Sequence, residues 1–356
     1  MANTQAARVS PAQAAQNFAQ MTRQNFQTLP SIAGAEQSTV QFNLPKVRLT
    51  SRIRVLVNAV VNVKHATQTS YTPAPFAPFT LLRRVQIDMN NGFSPFKVAG
   101  RELLWYSLPQ DHANTLTSAT SGRGKVVQGL TASAAGSDNT VRFVLDLPLT
   151  LNDRDPIGIV LTQNDETTVT VTIDIDKVTN LLADNTGFTV ALKSMTLSPM
   201  VESFTVPALP EAFPDLSVLK LVQSTRQAIT GSGPVTVKMP TGQTYRKLII
   251  FIEDNNGGVD DTSITGDIEI AFNQADTPYR ISPALLAAIN QEQYGITLPK
   301  GMYIFDFSYQ GWANYGGARD YIDTEKLTEF WIQFNAAAAG NVTVVSETLA
   351  RLRSAQ

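Results

Sequence analysis

The chain has no cysteine in its 356 residues. Disulfide staples, thiolate metal sites and cysteine nucleophiles are therefore excluded, while the redox compartment stays open. Histidine is almost as scarce, with only His65 and His112. His65 closes a strand pattern and His112 falls in a polar loop, and no carboxylates cluster with either to form a base and its orienter. No apolar run reaches the ~18 residues of a membrane-spanning helix, and the amino terminus lacks the apolar core of a signal peptide.

Charge is also sparse. Asp, Glu, Lys and Arg make up 16% of the chain, against about 25% in an average soluble protein. Extensive subunit contacts would leave such a composition, because interface cores are depleted in charge. A β protein rich in Thr, Asn and Gln would read the same way. The formal net charge of −2 gives no support for direct binding of nucleic acid through bulk charge.

The motifs of common chemistries are missing too. Gly242-Gln243-Thr244 lacks the glycine run and the Lys-Ser/Thr ending of a phosphate loop. Asp254, Asn256, Asp260 and Asp261 make an oxygen-rich loop of the kind calcium favours, but not at EF-hand spacing, and a surface turn has the same composition. Asp153 with Asp155, and Asp174 with Asp176, are the pairs a glycosidase would need. Asp174 and Asp176 share one strand face and read as solvated. The aromatic residues fall mostly at strand-core spacing, which gives no stacking platform for nucleic acid. No catalytic residue, metal site or cofactor is expected.

What the chain does have is strand pattern. From Leu49 to Val63 apolar residues hold the odd positions almost without a break, with Thr50, Arg52, Arg54, Asn58 and Asn62 between them. Val169, Val171, Ile173 and Ile175 alternate in the same way. Further strands are expected at 141–147, 188–206, 218–230, 235–239, 268–272, 302–307, 330–334 and 342–345. Tyr71 to Phe79, with its three prolines, reads as a loop, and Pro109 to Asn139 as a long exposed excursion. About eight short strands per half, with little helix, indicate an all-β chain of sandwiches or barrels.

Two stretches resemble each other. Leu82-Arg-Arg-Val-Gln-Ile-Asp-Met-Asn-Asn-Gly92 and Lys247-Leu-Ile-Ile-Phe-Ile-Glu-Asp-Asn-Asn-Gly257 are apolar strands with an acid at the same place and a common turn signal, 165 positions apart. Each is followed by a helix-like run, Val98 to Leu108 in one case and from Ser282-Pro283 in the other. The repeat suggests a duplicated domain, and a coincidence of common Asn-Asn-Gly turns would produce it as well. The stretch from Pro207 to Pro214, with three prolines, is the natural linker. The expected division is an arm over 1–37, a first sandwich over 38–206, a linker over 207–215, and a second sandwich with the carboxyl-terminal segment over 216–356.

Residues 1–35 contain no acid, and Arg8 and Arg23 give them a charge of +2. A helix is expected from Ser10-Pro11 to about Gln27. On it Phe18, Met21, Phe26 and Leu29 form one apolar stripe. Packing on the chain's own domain or on a partner is one reading of the stripe. Contact with a membrane surface, through Arg8, Phe18, Met21, Arg23, Phe26 and Leu29, is the other.

Several segments, in this order along the chain, resemble the major capsid proteins of tectiviruses, tailless bacteriophages with a membrane inside an icosahedral shell. They are the Gln/Ala-rich amino-terminal helix, Asn62-Val-Lys-His-Ala-Thr67, Leu82-Arg-Arg-Val85 with Asp88, Tyr245 to Gly258, and Leu298-Pro-Lys-Gly-Met-Tyr303. The likeness leans to the branch infecting Bacillus and fades after Gly311. It implies two jelly rolls in tandem, a homotrimer of pseudo-hexagonal outline, and neighbouring trimers and vertex proteins as partners. It further implies an inner viral membrane facing the amino-terminal helix, a place in the virion, and assembly in the cytoplasm of a bacterial host. An enzyme acting on carbohydrate or glycoprotein from paired jelly rolls is the alternative and would need convergent carboxylates at the junction. A receptor- or glycan-binding spike is another and would need exposed aromatics in a groove.

Overall fold

A computed structural model describes residues 11–90, 92–110, 124–151, 156–163, 166–209, 212–308 and 321–351. Helix α1 (Pro11–Met21) leads into β1 (Gln24–Thr28), β2 (Ile32–Ala33), β3 (Thr39–Asn43), β4 (Leu49–Lys64), β5 (Leu82–Met89) and β6 (Phe93–Val98). Helix α2 (Gly100–Ser107) follows, then β7 (Val126–Gln128), β8 (Ser137–Pro148), β9 (Val160–Leu161), β10 (Val169–Ile175) and β11 (Thr189–Phe204). The second half holds β12 (Val218–Ile229), β13 (Gly233–Met239), β14 (Thr244–Asp254), β15 (Gly257–Gly258), β16 (Ile264–Phe272) and β17 (Asp276–Ile281). Helix α3 (Pro283–Tyr294), β18 (Met302–Asp306), β19 (Ile322–Asp323), β20 (Phe330–Ala336) and β21 (Gly340–Arg351) complete it.

Setting aside the short β2, β7, β9, β15 and β19, each half has eight strands among the described residues, with a helix between the fifth and the sixth. In the second half one sheet runs β12-β21-β14-β18 and the other β13-β20-β16-β17. In the first half the sheets run β1-β11-β4-β8 and β3-β10-β5-β6. Both halves therefore have the order first–eighth–third–sixth in one sheet and second–seventh–fourth–fifth in the other. Such a pair of interlocked Greek keys is a jelly roll, and the chain carries it twice.

The repeat read from sequence does not mark this duplication. β5 is the fourth strand of its sandwich and β14 the third of its own, so the two stretches are not equivalent. What they share is a strand running into a tight hairpin, with Asn90 (φ 52°) and Gly257 (φ 118°) in the left-handed region. Asn91 lies outside the described residues. The helices do correspond, α2 to α3.

The sandwiches are fused. β6, the fifth strand of the first, runs parallel beside β12, the first strand of the second, with Val222 opposite Phe96 and Gln223 opposite Lys97. A ten-stranded sheet results, with the seven-stranded sheet over one of its faces and the four-stranded sheet over the other. Val345, Ile249 and Phe251 join the core of the first sandwich, while Val344, Ile250 and Ile252 join that of the second. Leu248 to Ile252 are buried without a break (0–2% exposed) because both faces of β14 are covered. β4 shows the simpler pattern: Ile53, Val55, Val57, Ala59, Val61 and Val63 are at most 1% exposed, and the residues between them face outward.

Three expectations need correction. The amino-terminal helix stops at Met21, and residues 24–28 form β1, an edge strand with Phe26 opposite Glu202 of β11. Residues 24–37 thus belong to the first sandwich rather than to a separate arm. The 109–139 stretch contains β7 and the start of β8, and positions 111–123 in it lie outside the described residues. Asp174 is not solvated. It is 2% exposed, accepts a hydrogen bond from Thr39 at 2.6 Å and pairs with Arg84 at 2.9 Å, because β3 and β5 flank it on both sides. Between β11 and β12, the described residues of 205–217 contain no strand, and the Pro207–Pro214 stretch falls there.

Candidate functional site

The most organised polar region lies where the sandwiches meet. Helix α2 is seated tightly under the first sandwich: a Cβ at Gly100 would stand 2.2 Å from the Phe79 carbonyl oxygen, so only glycine fits. Glu102 fixes the helix start by accepting from the Ala99 N–H at 2.6 Å. Leu103 turns into the first core, and Arg101, Trp105 and Tyr106 reach the second sandwich. The Trp105 ring lies 4.5 Å from Phe251, with Phe76 edge-on to both rings. Arg101 donates two 3.0 Å hydrogen bonds to the Glu253 carboxylate, which also accepts from Arg226 at 3.1 Å. Tyr106 donates to Glu347 on β21.

Charges buried beside this helix are matched. Arg246 binds Glu347 at 2.7 Å, and Lys247 pairs with Asp306 at 3.0 Å, which also accepts from Tyr294 at 2.9 Å. The Lys220 ammonium donates to the Thr150 carbonyl at 2.6 Å and stands 5.7 Å over the Tyr106 ring. Burial pushes Lys220 down to about 7, against the opposing pull of Glu347. Burial works to raise Glu347, but Arg246, Lys220, Lys247 and the Tyr106 hydroxyl together hold it below the ordinary glutamate range. Burial, then the Glu347 charge, push Tyr106 well above the usual tyrosine range. Asp306 is lowered in the same manner as Glu347, Lys247 outweighing desolvation with help from Ser308 and Tyr294. Carboxylates do converge here, as a junction enzyme would require, but each is paired with a cation. Lys220 and Glu347 are each 4% exposed. The arrangement ties the two sandwiches together through the Arg101–Glu253 and Tyr106–Glu347 contacts.

The membrane-facing residues expected from sequence do not share one stripe. Phe18 is 3% exposed, packs edge-on to Phe204 at 5.2 Å and joins Leu49 and Ile159 in a small core. Leu29 is half-buried against the first core, and its N–H donates to the Pro199 carbonyl. Met21 (47% exposed), Arg23 and Phe26 (60% exposed) remain at the surface. Arg8 lies outside the described residues. The helix breaks after Met21 because β11 offers a paired edge: Arg23 and Thr205 exchange hydrogen bonds and the chain continues as β1.

The oxygen-rich loop is dispersed. Asp254 caps the Asn256 N–H, Asp260 pairs with Lys300 at 2.6 Å, and Asp261 accepts from Tyr303 at 2.7 Å. Among the described residues no group of three His, Asp or Glu could hold a metal ion. His65 accepts at Nδ1 from the Gln68 N–H (2.8 Å) and packs on Phe188, which makes it a turn residue. His112, Asp153 and Asp155 lie outside the described residues. Phe26 is the one aromatic among the exposed large apolar side chains of the described residues.

The fold and this junction define the double jelly-roll class. No family model matches the chain, and no curated protein does. Solved structures do. The STIV major capsid protein, from Sulfolobus turreted icosahedral virus, matches with a TM-score of 0.69 at 14% identity, over 92% of this chain and 97% of that one. VP54 of PBCV-1 matches with 0.65 at 10% identity, over 94% and 95%. The major capsid protein P2 of bacteriophage PM2 matches with 0.55 at 14%, over 92% and 98%. At these identities the likeness is one of fold.

The junction residues escaped the sequence reading. One signal was present: Lys220 and Glu347 each interrupt an otherwise apolar or uncharged strand run. A charge placed among core positions calls for a buried partner, but the identity of that partner depends on the fusion of the two sandwiches.

Proposed function

We propose that this chain is the major coat protein of an icosahedral virus. The observation that carries the reading is the pair of fused jelly rolls, shared nearly end to end with three viral coat proteins: 92–94% of this chain and 95–98% of those. Low charge and a junction whose buried charges are paired agree with a structural role. In the fuller reading the chain forms homotrimers whose sandwiches give a hexagonal outline. The trimers tile a shell around an inner membrane, beside other trimers and vertex proteins and without touching nucleic acid. The short sequence likenesses favour a tectivirus-like bacteriophage, of the branch infecting Bacillus, assembled in the host cytoplasm.

With Phe18 and Leu29 turned inward and Phe26 on a sheet face, the membrane-facing set narrows to Arg8, Met21 and Arg23. Each arginine near an anionic surface contributes only about 1 kcal/mol, and repetition around a shell makes so weak a contact collective. The test replaces Met21→Asp and Arg23→Glu in a chain shortened by residues 1–10, then follows trimer formation and enclosure of membrane. Trimers that assemble without enclosing vesicles support the membrane contact, and membrane-filled particles refute it. A wild-type chain that stays monomeric at assembly concentration refutes the coat-protein reading.

A further inference from the structure

A cleft of about 800 Å3 follows β6 where it meets β12. The parallel pairing of these strands covers Phe96 and Lys97 alone. Next to it the Gln223 side-chain amide, at 3.4 Å, donates to the Ser94 carbonyl in place of a ladder bond. Val85, Ile87, Phe96 and Val98 turn into the first core, so Arg84 and Lys97, which alternate with them, lie on the opposite face of the sheet.

The charges in the cleft have an uneven balance. Arg84 donates to Asp174 at 2.9 Å, and Arg83 stands 3.7 Å from the same carboxylate. Asp174 is 2% exposed and also accepts from Thr39. It is a buried anchor beneath two guanidinium groups whose side chains are 66% and 44% exposed. A guanidinium has five N–H donors, so one carboxylate leaves most of theirs unused. Gln86 lies opposite Lys97, which makes Arg84 the diagonal neighbour of Lys97 on the same face. Lys97 is exposed and has no ion-pair or hydrogen-bond partner among the described residues. Glu102, the other acid of the lining, is 6% exposed and occupied by the Ala99 N–H.

The shape selects the ligand. From Gly92 to Ala99 the cleft extends about 20 Å, at about 3.3 Å per strand residue. The cations sit towards the Ala99 end, while Gly92, Phe93 and Ser94 at the other end are uncharged. A nucleic acid carries a phosphate on every unit and would leave those at the Gly92 end without a cation. An extended peptide with acidic residues at one end and apolar ones at the other matches both the length and the charge.

We propose that this cleft binds an extended acidic peptide segment of another protein. Its carboxylates meet Arg83, Arg84 and Lys97, and its less polar residues lie along Phe93. One chain supplies the whole lining, so binding does not depend on assembly into a shell.

The test is fluorescence anisotropy of the full-length chain with labelled peptides that carry Glu at one end and Gly and Leu at the other, in both orders. One order should bind saturably, and its Glu→Gln counterpart about tenfold more weakly or worse, a loss of about 1.4 kcal/mol. Lys97→Glu and Arg83→Glu should each weaken the acidic peptide by at least the same factor. Both side chains are exposed, so Tm should stay at the wild-type value, and Lys97→Arg should retain binding. No saturation by about 1 mM peptide, equal affinity for the Gln counterpart, or affinity unchanged in both charge-reversal variants overturns the proposal. A labelled oligothymidylate that binds as tightly as the acidic peptide shows a phosphate site and overturns the peptide assignment.

Discussion

Arg101 of α2 and Glu253 of β14 face each other across the two sandwiches, joined by two 3.0 Å hydrogen bonds in fork geometry. The pair is partly shielded, with 23% and 14% of the side chains exposed. Bidentate charge-assisted bonds are the stronger kind. Arg101→Ala is expected to cost about 1–2 kcal/mol, at the lower end for bonds to charged groups because water reaches the pair. A urea double-mutant cycle with Glu253→Gln measures it, and additive losses would show that the two residues do not couple.

Trp105 is fully buried against Phe251 and Phe76 at the same junction. Trp105→Ala should cost about 3–5 kcal/mol, as large core truncations do. The loss should fall on both sandwiches together, in a single unfolding transition. Two separated transitions in calorimetry for the wild-type chain would mean that the shared core does not couple the halves.

The buried charges predict a dependence on pH. Burial lowers Lys220 to about 7 in the folded chain, while an unfolded lysine titrates near 10.4. From about pH 7 upward the unfolded state therefore binds the extra proton, and stability gains from this group as pH rises towards 10. Lys220→Met removes that gain. The difference in Tm, wild type minus variant, should increase between pH 7 and 9.5, and a flat difference would contradict the assignment. Glu347→Gln should be costly near neutral pH, about 3–5 kcal/mol, because it leaves Arg246 and Lys220 buried without their counter-charge.

Much of this fold was legible as period-two pattern. β4, β10 and β12 fall where alternation or apolar runs put them, because a half-buried strand shows its core face in its sequence. The helix over residues 10–27 was misjudged for a physical reason. The stripe through Phe18 and Phe26 has helical spacing, but the open edge of β11 pairs with residues 24–28 and outweighs it. The duplication was real although its supposed signature was not, since Asn-Asn-Gly records a hairpin and not a strand's place in a sheet. The junction was hidden because Arg101 and Glu253 are 152 positions apart and only the parallel β6–β12 contact brings them together.

The corrected arm makes its own prediction. Removing residues 1–10 should leave Tm unchanged within about 1 °C, equivalent to a few tenths of a kcal/mol. Removing 1–35 takes away Phe18, β1 and β2, bares the edge of β11 and should destabilise the first sandwich or cause aggregation. Thermal unfolding of the two truncations separates these outcomes, and equal stability would mean that β1 contributes nothing.

The most direct measurement is electron cryomicroscopy of the purified, full-length chain at assembly concentration. A coat protein of this design should appear as flat particles of three chains with a hexagonal outline. Monomers at that concentration, or particles of another symmetry, would contradict it.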